Sequence, residues 1–506
     1  MTLALTHSVA LLGLEGHLVT VEVDIADGLP GYSLLGLPDA ALTESRERVR
    51  SAIVNCGEVW PNRKVTVSLS PAWLPKSGSS FDLAICIALL SAHQSVPTEK
   101  IEELLFLGEL SLDGRIRSVR GVLPALMAAY KAGVRTAVVP AANFEEAQLM
   151  QAMTIIPMHH LKQVLRWLRT GEREVVQEFD LQWEQTDTRL DFADVAGQST
   201  ARLAAEIAAI GGHHILLIGP PGAGKTMIAE RIPTIMPALS IDQALEVTAV
   251  HSIAGTLTQR SPLSLLAPMV SPHHTTTRIA MVGGGSHAIK PGACSLAHYG
   301  VLFVDEAPEC GPGVLDALRQ PLESGTITIA RSIGNLTFPA QFLLVLAANP
   351  CPCGKFTGRG HNCTCTSQQV RRYLGKLSGP LMDRIDLRVQ VDPVGRVDMA
   401  RDELGESSTV IRTRVIAARE VAKKRFAGMG WSLNSQIPAR ALRSTFQPER
   451  SAMNFLHDEL DREHITARGL HKIIRTAWSF ADLHNNPTPT LENVMAAHTM
   501  RGKVEA

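Results

Sequence analysis

Aromatic residues are scarce in this chain: Phe, Trp and Tyr make up 5% of its 506 residues. None interleave its basic stretches, so recognition of nucleic acid by stacking on bases is not indicated. Net charge is absent too, because 49 Lys and Arg balance 49 Asp and Glu. That excludes a global field drawing the molecule onto a polyanion or an acidic membrane, so any polyanion site must be local. The longest apolar runs, such as Leu83 to Leu90, stop far short of the ~18 residues a membrane-spanning helix requires. Met1 to Leu14 is apolar but lacks a basic leader, and it runs into the alternating Val19-Thr20-Val21-Glu22-Val23 pattern, which argues against a cleaved signal. The expectation is a cytoplasmic protein with no membrane partner. Eight cysteines are too few for a disulfide framework, and there is no internal repeat or low-complexity tract.

What is present is 45% hydrophobic residues, enough over this length for about three globular domains. Residues 1–172 alternate β-type runs (Leu18 to Val23, Val65 to Leu69, Thr136 to Val139) with helical ones (Ala40 to Asn55, Asp82 to Ala92, Val122 to Ala132), an α/β pattern. A charged stretch without apolar period, 173–190, reads as a linker. From 191 to 392, apolar runs at Ile215 to Ile218, Val301 to Val304 and Phe342 to Ala347 alternate with helices, which predicts a parallel sheet with crossover helices. Residues 393–506 turn helical, at Ala417 to Phe426, Ala452 to Leu460 and Leu470 to Leu483.

Gly219-Pro220-Pro221-Gly222-Ala223-Gly224-Lys225-Thr226 matches GxxxxGK[ST] between a buried-strand run and a helical run, the context a phosphate-binding loop requires. Its backbone N–H groups would cradle the β-phosphate, Lys225 would reach the β/γ oxygens, and the Thr226 hydroxyl would bind Mg²⁺. Val301-Leu302-Phe303-Val304-Asp305-Glu306 has the form of a central strand delivering two carboxylates to a sheet edge. Asp305 would hold the metal, and Glu306 would polarise the attacking water. The chemistry these residues point to is Mg²⁺-dependent nucleoside triphosphate hydrolysis.

These motifs, with Leu344 to Pro350 and Leu381-Met382-Asp383-Arg384-Ile385-Asp386, resemble the AAA+ ATPase core in the branch containing the magnesium chelatase motor subunit. Phe192 to Gln198, Gly283-Gly284-Gly285, Pro321-Leu322-Glu323-Ser324-Gly325 and Asn349-Pro350-Cys351-Pro352-Cys353-Gly354 bring the chain closer to the ComM/YifB group, along essentially its full length. The resemblance implies ATP as the nucleotide, Asn349 as sensor 1, Arg384 as an arginine finger entering a neighbouring subunit's site, and Arg468 as sensor 2 in a C-terminal helical lid. It places Gln198 near the adenine pocket. A finger working in trans implies a ring-forming homo-oligomer, a hexamer in this family, and the function implied is movement on DNA, as in branch migration during recombination and natural transformation. The other reading is a chelatase-like motor that remodels a protein partner.

Ile279 to Gly292 is a Gly-rich interruption of a helix and resembles the helix-2 insertion of this AAA+ branch. Gly325 to Thr337 alternates like a hairpin. Lys290 and Arg331 on these segments are candidate contacts to the DNA backbone, giving sequence-independent binding. The basic stretch Arg412, Arg414, Arg419, Lys423, Lys424 and Arg425 reads as a solvated or intersubunit face, or else as a nucleic-acid footprint. Cys351, Cys353, Cys363 and Cys365 form two C-x-C pairs that could put four thiolates on one structural Zn²⁺; free thiols, or His361 in place of one cysteine, remain open. Residues 1–172 resemble the Lon-protease (ribosomal S5-like) fold. Its nucleophile block aligns with Lys76 to Ser80 and its second block with Gly108 to Ile116, which places Ser80 at the nucleophile and Leu123 where a lysine base is needed. A domain without peptidase activity is expected, one that binds DNA or assembles the ring.

Overall fold

The computed structural model describes residues 3–99, 101–172, 190–257, 263–285, 289–331, 334–356, 363–393 and 405–502. The expected linker, apart from residue 190, lies outside them, as does His361.

The N-terminal unit is built on a seven-stranded mixed sheet. Its order is Gly31–Leu35, Lys64–Ser70, Glu15–Ala26, Leu3–Leu12, Leu104–Phe106, Thr136–Pro140, Thr154–Met158. Leu3–Leu12 and Glu15–Ala26 form an antiparallel pair. The turn between them uses Gly13 at φ +64°, a left-handed conformation that costs glycine nothing. Alternation sends Val19, Val21, Val23 and Ile25 to one face, under the helices Ser45–Asn55 and Asp82–Ala92. Val9 and Leu18 go to the other face, under Val122–Lys131. Asp82–Ala92 lies between the sheet and helix Ser45–Asn55, so it is buried along its whole length and carries no polar stripe.

The second unit is the expected parallel sheet. Five strands lie in the order Met269–Val270, Val301–Val304, Leu343–Ala348, Ile215–Ile218, Leu387–Gln390, and every pairing is parallel. Such strands are buried on both faces and so read as continuous apolar runs. The C-terminal helices Ser408–Arg425, Arg450–Asp461, Ala467–Leu483 and Leu491–Thr499 follow. Ile411, Val415, Ala418, Ile473 and Ala477 share one apolar cluster with Ile215, Val345 and Leu387, so the helical region is welded to the sheet's own core.

Three of the six residues in the C-terminal basic stretch serve that junction. Arg414 grips Glu206 (2.8 and 3.0 Å) and Glu406 (2.7 and 2.8 Å). Arg419 donates to the Ala209 carbonyl at 2.9 Å, and Arg425 pairs with Asp482 and lies over the Trp478 ring at 4.2 Å. Lys423 and Lys424 stay exposed.

Leu123 is fully buried in a seam between the first two units, packed with Leu239, Ala244 and Val247 at and along the helix Ile241–Ala254. Beside it the Glu146 carboxylate accepts the Leu123 N–H at 2.7 Å and the Ser252 hydroxyl, and burial raises its pKa above the usual carboxylate range. Truncating a buried leucine forfeits transfer energy and leaves a cavity. Leu123→Ala is therefore expected to destabilise the chain by about 2–5 kcal/mol, measured by denaturant unfolding; an unchanged midpoint would contradict the seam.

Candidate nucleotide and metal sites

Parallel pairing puts the carboxyl ends of Ile215–Ile218, Leu343–Ala348 and Val301–Val304 at one edge, where open α/β sheets bind ligands. The phosphate loop leaves the first of these strands. Glycine at 219 is required by crowding, since a Cβ there would stand 2.1 Å from the Val391 carbonyl oxygen. Gly224 takes φ +89° as the N-cap of helix Lys225–Ile235, so the helix's free N–H groups begin within the loop. Pro220, Pro221, Gly222 and Ala223 complete it.

Lys225 is only 7% exposed. Its ammonium donates to the carbonyls of Gly219 (2.7 Å) and Pro220 (2.9 Å) and to Asn349 Oδ1 (3.1 Å). Burial lowers its pKa, while the charges of Asp305 and Glu306 act to raise it. The Thr226 hydroxyl donates to Asp305 Oδ2 at 2.8 Å, and Asp305 Oδ1 accepts the Glu306 N–H at 2.8 Å. These are hard oxygen donors of the kind Mg²⁺ takes. Glu306 adopts φ +49°, a left-handed conformation uncommon for a residue with a side chain and frequent at functional sites. Gln198 bonds to the carbonyls of Ala223 (3.1 Å) and Asp392 (2.5 Å), bridging the loop and the end of the fifth strand.

Arg384 and Arg468 form a second group. Arg384 donates to the Pro380 carbonyl at 2.6 Å and pairs with Glu323, while Arg468 reaches Asp383 at 3.1 Å. Their hydrogen bonds go to each other's surroundings and not to the phosphate loop of their own chain. The residue that motif reading missed is His274, whose Nδ1 lies 3.1 Å from Glu306 Oε2. Its signal was topological: Met269–Val270 pairs with Val301–Val304, so residues beyond either strand emerge together.

Lys290 lies on a small antiparallel ribbon, Gly283–Gly284 with Lys290–Pro291, and is exposed. Arg331 ends the first strand of the expected hairpin, Thr326–Arg331 with Gly334–Pro339, and its side chain is outside the described residues. The two ribbons are neighbours. Gly285, Ile289 and Lys290 of one and Leu336 of the other line a cavity of about 800 Å³ together with Ser77, Ser79, Ser80 and Arg120 of the N-terminal unit.

The four cysteines converge at the end of the Leu343–Ala348 strand, with Cys351 buried beneath Val370, Tyr373 and Leu374 of the helix Ser367–Leu374. Their sulfurs lie within 4.8 Å of one another, with Cys351 to Cys353 at 3.3 Å and both Cys351 and Cys353 at 3.6 Å from Cys363. Tetrahedral Zn²⁺ with bonds of ~2.3 Å needs sulfurs about 3.8 Å apart, so this set could hold one ion.

Sheet order, phosphate loop and strand-end acids define the class: an AAA+ ATPase, which implies ATP and Mg²⁺ as cofactors. Residues 191–399 match the family described as magnesium chelatase, subunit ChlI; 21–143 match subunit ChlI of Mg-chelatase, and 405–501 match the ChlI C-terminal family. An uncharacterised protein of Mycobacterium tuberculosis is 48% identical over 501 residues, 99% of each chain. The competence protein ComM of Haemophilus influenzae is 39% identical over 494 residues (96% of this chain, 94% of ComM), and the uncharacterised YifB of Escherichia coli 38% over 502 (99% and 97%). This chain belongs to the ComM/YifB family of magnesium chelatase-like AAA+ ATPases. A Lon protease of Brevibacillus choshinensis is 28% identical over 169 residues, 31% of this chain and 21% of that protein, in keeping with a Lon-protease-like N-terminal unit.

Purified protein is expected to carry about one Zn²⁺ per chain, released on thiol blocking and absent from Cys353→Ser, as read by elemental analysis. Metal-free wild-type protein would dispose of the Cys₄ centre.

Proposed function

We propose that this protein is a ring-forming motor, a homo-hexamer of ATPase subunits, that couples ATP hydrolysis to movement along duplex or branched DNA in the cytoplasm, as in branch migration during recombination or transformation. The observation that carries the reading is the pair of adjoining ribbons beside the sheet, one presenting Lys290 and the other ending its first strand at Arg331. Backbone contacts from such loops neutralise phosphates without reading sequence, which suits a translocating machine. The identity to a protein named for competence supports the same reading.

In this mechanism the loop from Gly219 to Thr226 cradles the phosphates, and Lys225 exchanges loop carbonyls for phosphate oxygens. Thr226 and Asp305 would hold Mg²⁺, which when bound neutralises phosphate charge. Glu306 accepts the proton of the attacking water, Asn349 orients that water, and Gln198 borders the nucleotide's base end. Arg384 neutralises γ-phosphate charge in the neighbouring subunit, and Arg468 senses the nucleotide from the lid. The domain division at 172, 190 and 392 belongs to this reading. So does the absence of peptidase activity, for Leu123 is spent on the interdomain seam and the Lys76 ammonium is bonded to the Leu69 carbonyl at 2.9 Å. Among the described residues no helix is long and apolar enough to cross a membrane.

ATP turnover is expected to rise with a four-way DNA junction or linear duplex and to vanish in Lys225→Ala. Stimulation by unfolded protein alone, without junction binding at low salt, would favour the partner-remodelling alternative and end the DNA reading.

A further inference from the structure

Arg384 sits between the short helix Gly379–Met382 and the strand Leu387–Gln390, on a segment whose carbonyls are taken up from outside it. The Lys472 ammonium donates to the Arg384 carbonyl at 3.0 Å. Arg501 donates to the carbonyls of Ile385 (2.7 Å) and Asp386 (3.3 Å). Both donors belong to the C-terminal helical region, as does Arg468, which holds Asp383.

Lys472 is the best anchored of these. Its ammonium also pairs with Asp386 at 2.8 Å, and Asp386 is itself fixed by the His214 N–H at 3.0 Å. Burial alone would raise the Asp386 carboxyl, yet the charge of Lys472, the strongest opposing influence, holds it well below the usual carboxylate range. Burial pushes His213 and His214 down to about 4, so both are neutral near pH 7 and Lys472 is the close cation facing Asp386. The Arg468–Asp383 pair, by contrast, has an arginine side chain 74% exposed and is screened by solvent. Arg468 and Lys472 are four residues apart on helix Ala467–Leu483 and so share one face.

We infer that Lys472 is a positioning residue for Arg384: it holds the finger's main chain from the lid, so that each subunit's lid sets the aim of the arginine it offers to its neighbour. This rests on the reading that Arg384 works in trans. Among the described residues the guanidinium meets the Pro380 carbonyl and Glu323, and its Nε is buried without a partner, so where it starts from is set by the backbone that Lys472 holds. A displacement of about 1 Å at a catalytic group can cost on the order of 100-fold in rate.

The test is subunit mixing. Lys472→Met, Arg384→Ala and Lys225→Ala chains are first checked for assembly by sedimentation, then assayed for ATP turnover alone and in pairs. Lys472→Met alone is expected to lose on the order of 10- to 100-fold in kcat with ATP KM unchanged. Mixing it with Lys225→Ala, whose own site is dead but whose finger is intact, should restore turnover, as mixing Arg384→Ala with Lys225→Ala should. Rescue of Arg384→Ala without rescue of Lys472→Met would overturn the inference and leave the trans reading standing. Failure to rescue Arg384→Ala would overturn the trans reading and the inference with it. If Lys472→Met does not assemble, Lys472→Arg enters the same mixtures; it keeps the charge facing Asp386 but moves the donors relative to the Arg384 carbonyl, and the same two outcomes decide.

Discussion

Parallel register is the constraint on which the site depends. Ile215 to Ile218 lie opposite Val345 to Ala348, and Val301 to Val304 opposite Leu343 to Leu346. The residues that follow these strands, Gly219, Asn349 and Asp305, therefore emerge at one edge, although the chain separates them widely. A slip of one residue would turn each strand's side chains to the opposite face and break the contacts Lys225 makes with Asn349 and Thr226 with Asp305. The apolar faces of the strands oppose such a slip, because one packs with the helices at Ser199–Gly211 and Lys225–Ile235 and the other with Leu318, Leu377 and Leu381.

Around that edge the molecule divides its labour. The sheet and the C-terminal helices share an apolar core, which makes them one mechanical body at the base, while charged clamps such as Arg414 with Glu206 and Glu406 fix the angle between them. The N-terminal unit is joined through the Leu123 seam to helix Ile241–Ala254, and the same unit lines a cavity with both ribbons. The ribbons and the N-terminal unit thus meet at that cavity, and the helical region meets the segment that bears Arg384 through Arg468, Lys472 and Arg501.

Features set by neighbours in the chain were legible in the sequence. The phosphate loop, the acids closing an apolar run, the paired cysteines and the helix Asp82–Ala92 each carry their pattern within a few residues, and each stands where that pattern puts it. Features set by pairing across the fold were not. Glu323 lies in a recognisable block, but nothing local says that it meets Arg384. His274 could be placed against Glu306 only once the strand order was known. Basic residues at 414, 419 and 425 looked like a surface because their acceptors, Glu206, Ala209 and Asp482, lie far off in the chain. The last helix, Leu491–Thr499, escaped notice because it is short and partly exposed, and its place is set by packing on Ala467–Leu483.

The central claim is that ATP is cleaved at a site one subunit cannot complete alone. It is tested most directly by measuring turnover per chain across a dilution series while sedimentation reports the assembly state. The account predicts turnover that climbs with the fraction of assembled chain and approaches zero for monomers. A dilute, monomeric chain that hydrolyses ATP at the full rate would contradict it.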